Sequence, residues 1–340
     1  MAAAITLKTN VELGVVPTHA KFVGGLVPDD GGKLPRDADG KLVVLAEVER
    51  LVAMSPVKIA SAQISAFPGV DPGDNDELIT GLRAAGVIVH LVMMVGGADP
   101  MNPADEDKVV EMLVAGLELA KKYGVEHVGS TSVEEWMQPG AQPKVGADFE
   151  AAVAQNVKVH LRAYEEAGVA NSGIKAWHVE FLRKGEFQTF TDVSKLWAFI
   201  KKVNISLGSP FFKVLVDAAH CGDSDLSIPE NIAVVREIAE AGELGIFHAS
   251  ARTTRGCLST DDGWVGALLT ACAETGKLEF AFVELFHHED AALEGLRKLD
   301  PGHGIDTTDG RTYSETVIDG LTGVARRLNN LVTRGILPPA

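Results

Sequence analysis

IKAWHVE, residues 174–180, is an apolar run interrupted by Lys175 and His178 and closed by a carboxylate. Three further runs in the second half of the chain also end in a side chain with metal-ligand chemistry: FKVLVD at 212–217, GIFH at 245–248 and LEFAFVE at 278–284. Strands buried on both faces read as near-continuous apolar runs. An ionisable side chain at the end of one needs a partner, because burying a lone charge is costly. If the four strands are parallel and finish at one rim, Glu180, Asp217, His248 and Glu284 converge, and the rim is where βα barrels keep their chemistry. One divalent cation would satisfy all four.

Working outward, apolar segments near 11–16, 58–64, 86–93 and 125–131 alternate with amphipathic stretches through the first half. Eight strands with a helical pattern between successive pairs predict an α/β chain folded as a closed (β/α)8 TIM barrel, with residues 1–340 forming one domain. An open doubly wound sheet would carry a Gly-rich first turn, and no GxGxxG follows any of these runs. Local chemistry marks two helices. Asn102-Pro103 opens a segment to Tyr123 with acids early, Lys121 and Lys122 late, and Gly124 just past the end. Ser227 and Glu230 form a capping-box pattern ahead of a helix that stops at Gly242. Three connections exceed the usual βα length: 24–42, 132–147 and 297–312, all following strands and hence expected at the C-terminal rim as lid candidates.

Composition narrows the function. A net charge of −16 without Lys/Arg clusters argues against a nucleic-acid partner. The longest apolar stretch, around 87–95, falls short of a membrane span, and MAAAITLKTN at the N-terminus holds no secretory h-region. Cys221, Cys257 and Cys272 give neither an even count nor CxxC spacing, so no disulfide framework is indicated and a reducing cytoplasm is expected.

Three carboxylates and one imidazole form a hard, oxygen-rich set suited to Mn²⁺, with Mg²⁺ or Co²⁺ as alternatives. A substrate with vicinal oxygens, such as a sugar carbonyl and its neighbouring hydroxyl, would fill the remaining positions. His178 lies two residues before Glu180 on the same strand face, which puts it inside the barrel beneath the metal. His90 reads as a core histidine, and His19 in VVPTH as a residue able to face the site.

The segment 174–290 resembles the xylose isomerase-like barrels, and within them the ketose 3-epimerases similar to D-tagatose and D-psicose 3-epimerase. The resemblance rests on VEFLRKGEF, with Glu180 and Glu186 six residues apart; VDAAHCG, with Asp217 and His220; IFHAS, with His248; and FVELF, with Glu284. It implies Glu180, Asp217, His248 and Glu284 as metal ligands, and Glu186 and His220 as substrate hydroxyl contacts. It also implies an arginine six residues beyond the strand-seven histidine, whereas Arg252 and Arg255 stand four and seven residues beyond His248. Trp136 resembles the family's aromatic cover over the sugar. The implied activity is isomerisation or epimerisation of a sugar or sugar-like ketone. Glu180 and Glu284 would exchange a proton beside the carbonyl through a cis-enediolate, in a homo-oligomer, dimer or tetramer.

Two other readings share the site. A lyase or deglycosidase on a keto-sugar glycoside would follow the same proton abstraction with elimination, and a catalytically silent sugar-binding barrel would bind without exchange. An endonuclease-like three-metal cluster would need extra histidines at strand ends three and four, where this chain has Met-Met-Val and Gly-Ser-Thr.

Overall fold

A computed structural model describes residues 4–17, 25–251, 263–285, 298 and 311–340. Eight parallel strands close in sequence order into a barrel: β1 (Glu12–Val16), β2 (Ser61–Ala66), β3 (Ile88–Met93), β4 (His127–Ser130), β5 (Ala176–Glu180), β6 (Phe212–Asp217), β7 (Leu244–Ala249) and β8 (Phe280–Glu284). The expected boundaries fall within a few residues of these. The largest displacement is in β2, expected at 58–64 and found at 61–66, with Ala60 just ahead of it already bonded to Leu13 O at 2.8 Å and to Ile88 N at 2.9 Å.

Helices pack around the barrel: α1 (Val43–Met54), α2 (Pro72–Ala84), α3 (Glu106–Lys122), α4 (Ala147–Glu166), α5 (Val193–Leu207), the short α6 (Ala218–Asp223), α7 (Ile228–Glu240), α8 (Trp264–Glu274) and α9 (Tyr313–Thr333). Their ends carry the expected chemistry. The Asn102 side chain accepts from Ala104 N at 3.1 Å at the head of a short 3₁₀ turn leading into α3. Ser227 and Glu230 close a capping box on α7, and Thr312 and Glu315 close another on α9. None of the described helices is long and apolar enough to cross a membrane.

Inward-facing side chains alternate along each strand and stack in three layers. In the middle lies a small apolar cluster of Val16, Leu215, Ile246, Phe280 and Phe282, separate from the main core between sheet and helices. Gly14 makes this layer possible, since a Cβ there would lie 2.7 Å from the Phe282 ring and 2.5 Å from Ser61 Oγ. At the N-terminal end sit Glu12, His90, His127 and His178. His90 Nε2 meets Glu12 Oε1 at 3.0 Å and stacks on His127 with centroids 5.1 Å apart. Burial and the neighbouring His90 push His127 down to about 4. His178 Nδ1 accepts the Ile246 N–H at 3.3 Å, so its Nε2–H donates to His127 Nδ1 at 3.1 Å. His178 and His90 are therefore barrel-interior residues with partners, and the ligand-type residues of the opposite end form the third layer.

Outside the barrel, a buried chain runs from β5 to α4. Trp177 Nε1 donates to Ser130 Oγ at 2.8 Å, Ser130 lies 2.7 Å from Ser132, and Ser132 Oγ lies 2.9 Å from His160 Nε2, whose Nδ1 faces Asn156 O at 2.8 Å. The Asn156 carbonyl accepts only, so Nδ1 carries the proton and Nε2 accepts from Ser132. His160 is neutral, and burial pushes it down to about 4. The unfolded chain takes up this proton below about pH 6.5 while the folded protein refuses it until about pH 4, so stability is lost as pH falls through that window. Urea midpoints measured between pH 7 and 4 should show this decline. His160→Gln should be less stable at pH 7 yet flatter across the window, by up to about 1.4 kcal/mol per pH unit.

Candidate metal centre at the barrel mouth

Glu180, Asp217 and Glu284 are the last residues of β5, β6 and β8, and His248 is the penultimate residue of β7. Parallel pairing sets Asp217 beside His248, and a register shift between Val214 and Val216 brings β6 level with its neighbour. The four side chains are buried, and each offers one ligand atom within 4.8 Å of all the others. His248 Nδ1 lies 3.1 Å from Glu284 Oε2, 3.5 Å from Glu180 Oε1 and 3.9 Å from Asp217 Oδ2. This is the single such group among the described residues.

Asp217 serves two purposes. Its Oδ1 accepts the His220 N–H at 2.7 Å and caps α6. Its Oδ2 is buried, faces the cluster and has no hydrogen-bond partner. Burial, followed by the adjacent Glu284 and Glu180, raises the Asp217 pKa well above the carboxylate range. Burial works against a charged His248, but the same two glutamates outweigh it and hold the imidazole pKa well above its usual value. Three buried carboxylates around one imidazole thus carry more potential negative charge than the imidazole can offset, and a hard divalent cation fits the oxygen-rich set.

The rim carries the other expected contacts. His220 Nε2 stands 3.5 Å from Glu180 Oε1. Glu186 is buried, with Oε1 accepting from Trp136 Nε1 at 3.2 Å and Oε2 accepting from Arg183 Nε at 3.2 Å. Trp136 is 43% exposed and stands in the connection after β4. Its neighbour Met137 has a φ of 52°, the one positive φ on a described residue other than glycine, and donates its N–H to Glu186 O at 2.8 Å. The expected residues His19, Arg252 and Arg255 lie outside the described residues, as does nearly all of the 297–312 connection. The 24–42 connection is described from residue 25 onward and is tied to the start of α2 through Lys33–Asp71 at 2.9 Å and Arg36–Asp74 at 2.8 Å.

Three residues beside the site escaped the sequence reading. Arg183 is one. Glu134 is another: its buried carboxylate accepts the backbone N–H groups of Gln188 and Thr189 at 2.8 Å and of Phe190 at 2.9 Å, fastening the post-β5 loop to the post-β4 loop. Burial outweighs these bonds and leaves its pKa raised. Gln63 is the third, with Oε1 2.8 Å from His248 Nε2. The inward period-two series Ser61, Gln63, Ser65 on β2 was the available signal.

No protein-family model and no curated sequence matches the chain. Among solved structures, D-allulose 3-epimerase from Methylomonas sp. aligns with a TM-score of 0.70 at 17% identity, covering 95% of this chain and 99% of that one. The fold is that of the ketose 3-epimerase barrels. D-psicose 3-epimerase from Clostridium cellulolyticum H10, solved with D-tagatose, aligns at 0.68 and 15% identity over 94% of this chain and 99% of its own. L-ribulose 3-epimerase aligns at 0.68 and 16% over 96% of each chain.

Asp217→Asn keeps the cap and removes one of the three mutually repelling carboxylates. In chelator-treated protein it should melt at a higher temperature than wild type. Added Mn²⁺ should stabilise the wild type, by about 2.7 kcal/mol at a hundredfold excess over Kd, and leave Asp217→Asn nearly unmoved. Calorimetric melts with and without Mn²⁺ check both. Glu134→Ala, which strands three backbone donors, should cost at least about 2 kcal/mol in urea unfolding.

Proposed function

We propose that this protein is a divalent-metal-dependent sugar isomerase or epimerase that moves a proton next to a carbonyl between Glu180 and Glu284. The observation that carries the reading is the convergence of three carboxylates and an imidazole within 4.8 Å at the buried mouth of the barrel. The ketose 3-epimerases that share the fold support a keto-sugar as substrate class.

Glu180, Asp217, His248 and Glu284 would hold the ion, Mn²⁺ best, with Mg²⁺ or Co²⁺ as substitutes. When bound, the ion supplies a Lewis acid for the sugar carbonyl and offsets the negative charge that develops beside it. The chain does the proton transfer. The carboxylate of one glutamate removes a proton from the carbon next to the carbonyl, and the other returns a proton to it or to its neighbour. Burial strips water from both carboxylates, which sharpens their action on a bound carbon acid. Glu186 and His220 would contact substrate hydroxyls, and Trp136 would cover the sugar. Arg252, Arg255 and His19 complete the proposed contacts. The protein would work as a cytoplasmic homo-oligomer.

Proton NMR in D₂O with a panel of ketoses and aldoses tests this directly. Deuterium should enter beside the carbonyl with Mn²⁺ present, stop after chelation and resume on Mn²⁺ readdition. Glu180→Gln and Glu284→Gln should each slow incorporation by about 10²–10⁴-fold. Incorporation at the wild-type rate in either variant would refute the two-base assignment. The product distinguishes epimerase from isomerase.

A further inference from the structure

An imidazole can offer a lone pair to a cation through Nδ1 only while its other nitrogen keeps the proton. At His248, Nδ1 faces Glu284, Glu180 and Asp217, and Nε2 points the other way, across the barrel interior, to Gln63 Oε1 at 2.8 Å. An amide oxygen only accepts, so this contact requires the proton on Nε2. The two residues stand on β2 and β7, 185 positions apart in sequence, and Gln63 is 2% exposed.

The surroundings hold the amide in place. Gly129 on β4 backs its far end, where a Cβ would sit 2.9 Å from Gln63 Nε2. On the imidazole side, the Phe282 ring lies within 20° of parallel to His248 with centroids 6.5 Å apart. Metal-bound histidines are oriented by donating their other ring N–H to a fixed acceptor, and Gln63 Oε1 stands where such an acceptor would.

We infer that Gln63 is a positioning residue that fixes the tautomer and orientation of His248, making Nδ1 the metal-facing nitrogen. The inference rests on the reading of the four-residue cluster as a divalent-cation site.

Mn²⁺ titration by calorimetry of the full-length wild type, Gln63→Met and Gln63→Glu tests it. Methionine keeps the length of the side chain and loses the amide acceptor; glutamate keeps an acceptor. Gln63→Met should raise the Mn²⁺ Kd by about 10–100-fold, and Gln63→Glu should restore it towards wild type. In Mg²⁺-loaded protein labelled with ¹⁵N-histidine, long-range proton correlations should show a protonated Nε2 on His248 in wild type. A merely structural role would lower the melting temperature of both variants without separating their Kd values, and a Gln63→Met Kd equal to wild type overturns the inference. Should Gln63→Met fail to fold, Gly129→Ala pushes on the same amide from behind. It should also weaken Mn²⁺ binding, and an unchanged Kd there overturns the inference equally. A wild type that binds no divalent ion overturns the functional reading itself, an outcome distinct from equal Kd values in two ion-binding proteins.

Discussion

Three carboxylates buried within 4.8 Å of one another are the constraint around which this barrel is arranged. Two like charges at that separation repel by about 3–4 kcal/mol even at an effective dielectric of 20, and here three such pairs exist around a single imidazole. The fold alone answers with protons: Asp217 is driven towards its neutral form and His248 towards its charged one. A divalent cation answers better, because it compensates two charges at one point and needs none of the carboxylates protonated. The Asp217 cap on α6, the shifted register of β6 and the glycine that lets Phe282 fill the layer beneath all hold these charges in one geometry.

The opposite end of the barrel shows why residue type alone does not make a metal site. Glu12, His90, His127 and His178 are as rich in donor atoms as the mouth. Yet His90 is bonded to Glu12, and His178 is committed to His127 on one side and to the Ile246 N–H on the other. The Phe280 and Phe282 rings lie against these imidazoles edge-on. Lone pairs engaged in these contacts are not available to an ion, and although His90 Nδ1 has no hydrogen-bond partner, no three donor atoms of the described residues converge at this end. At the mouth the carboxylate oxygens point at a common centre instead, and Asp217 Oδ2 has nothing to accept.

The strands that carry the metal-type residues were legible because burial on both faces leaves a continuous apolar signature, so an acid at the end of IKAWHV or LEFAFV stands out. The helices at Asn102 and Ser227 were legible because caps are local chemistry. β2 begins three residues later than expected, although Ala60 just before it already bonds the backbone of both neighbours, through Leu13 O and Ile88 N. Gln63 and Glu134 were not found because each acts through a partner distant in sequence, across 185 positions to His248 and 55 to Thr189, and no local propensity encodes such a pairing. Arg183 meets Glu186 only three positions on, but in a loop without a periodic pattern to mark the pair.

The ligand-type residues stand on strand ends held by a closed ladder, where backbone hydrogen bonds fix them to a fraction of an ångström. Glu186, the expected hydroxyl contact, stands on a loop whose shape depends on another loop: Glu134 gathers the backbone of 188–190, Met137 donates to the Glu186 carbonyl and Trp136 bonds its carboxylate. Met137 holds a left-handed backbone to do so, at a cost of about 1–3 kcal/mol that the joined loops offset. Changing residues 132–147 would therefore move Glu186 relative to the rim without touching the four strand ends. The four ligand-type residues are written into the strand ends and can be read from them, whereas the placement of Glu186 is set by contacts between two loops, which composition and periodicity do not record.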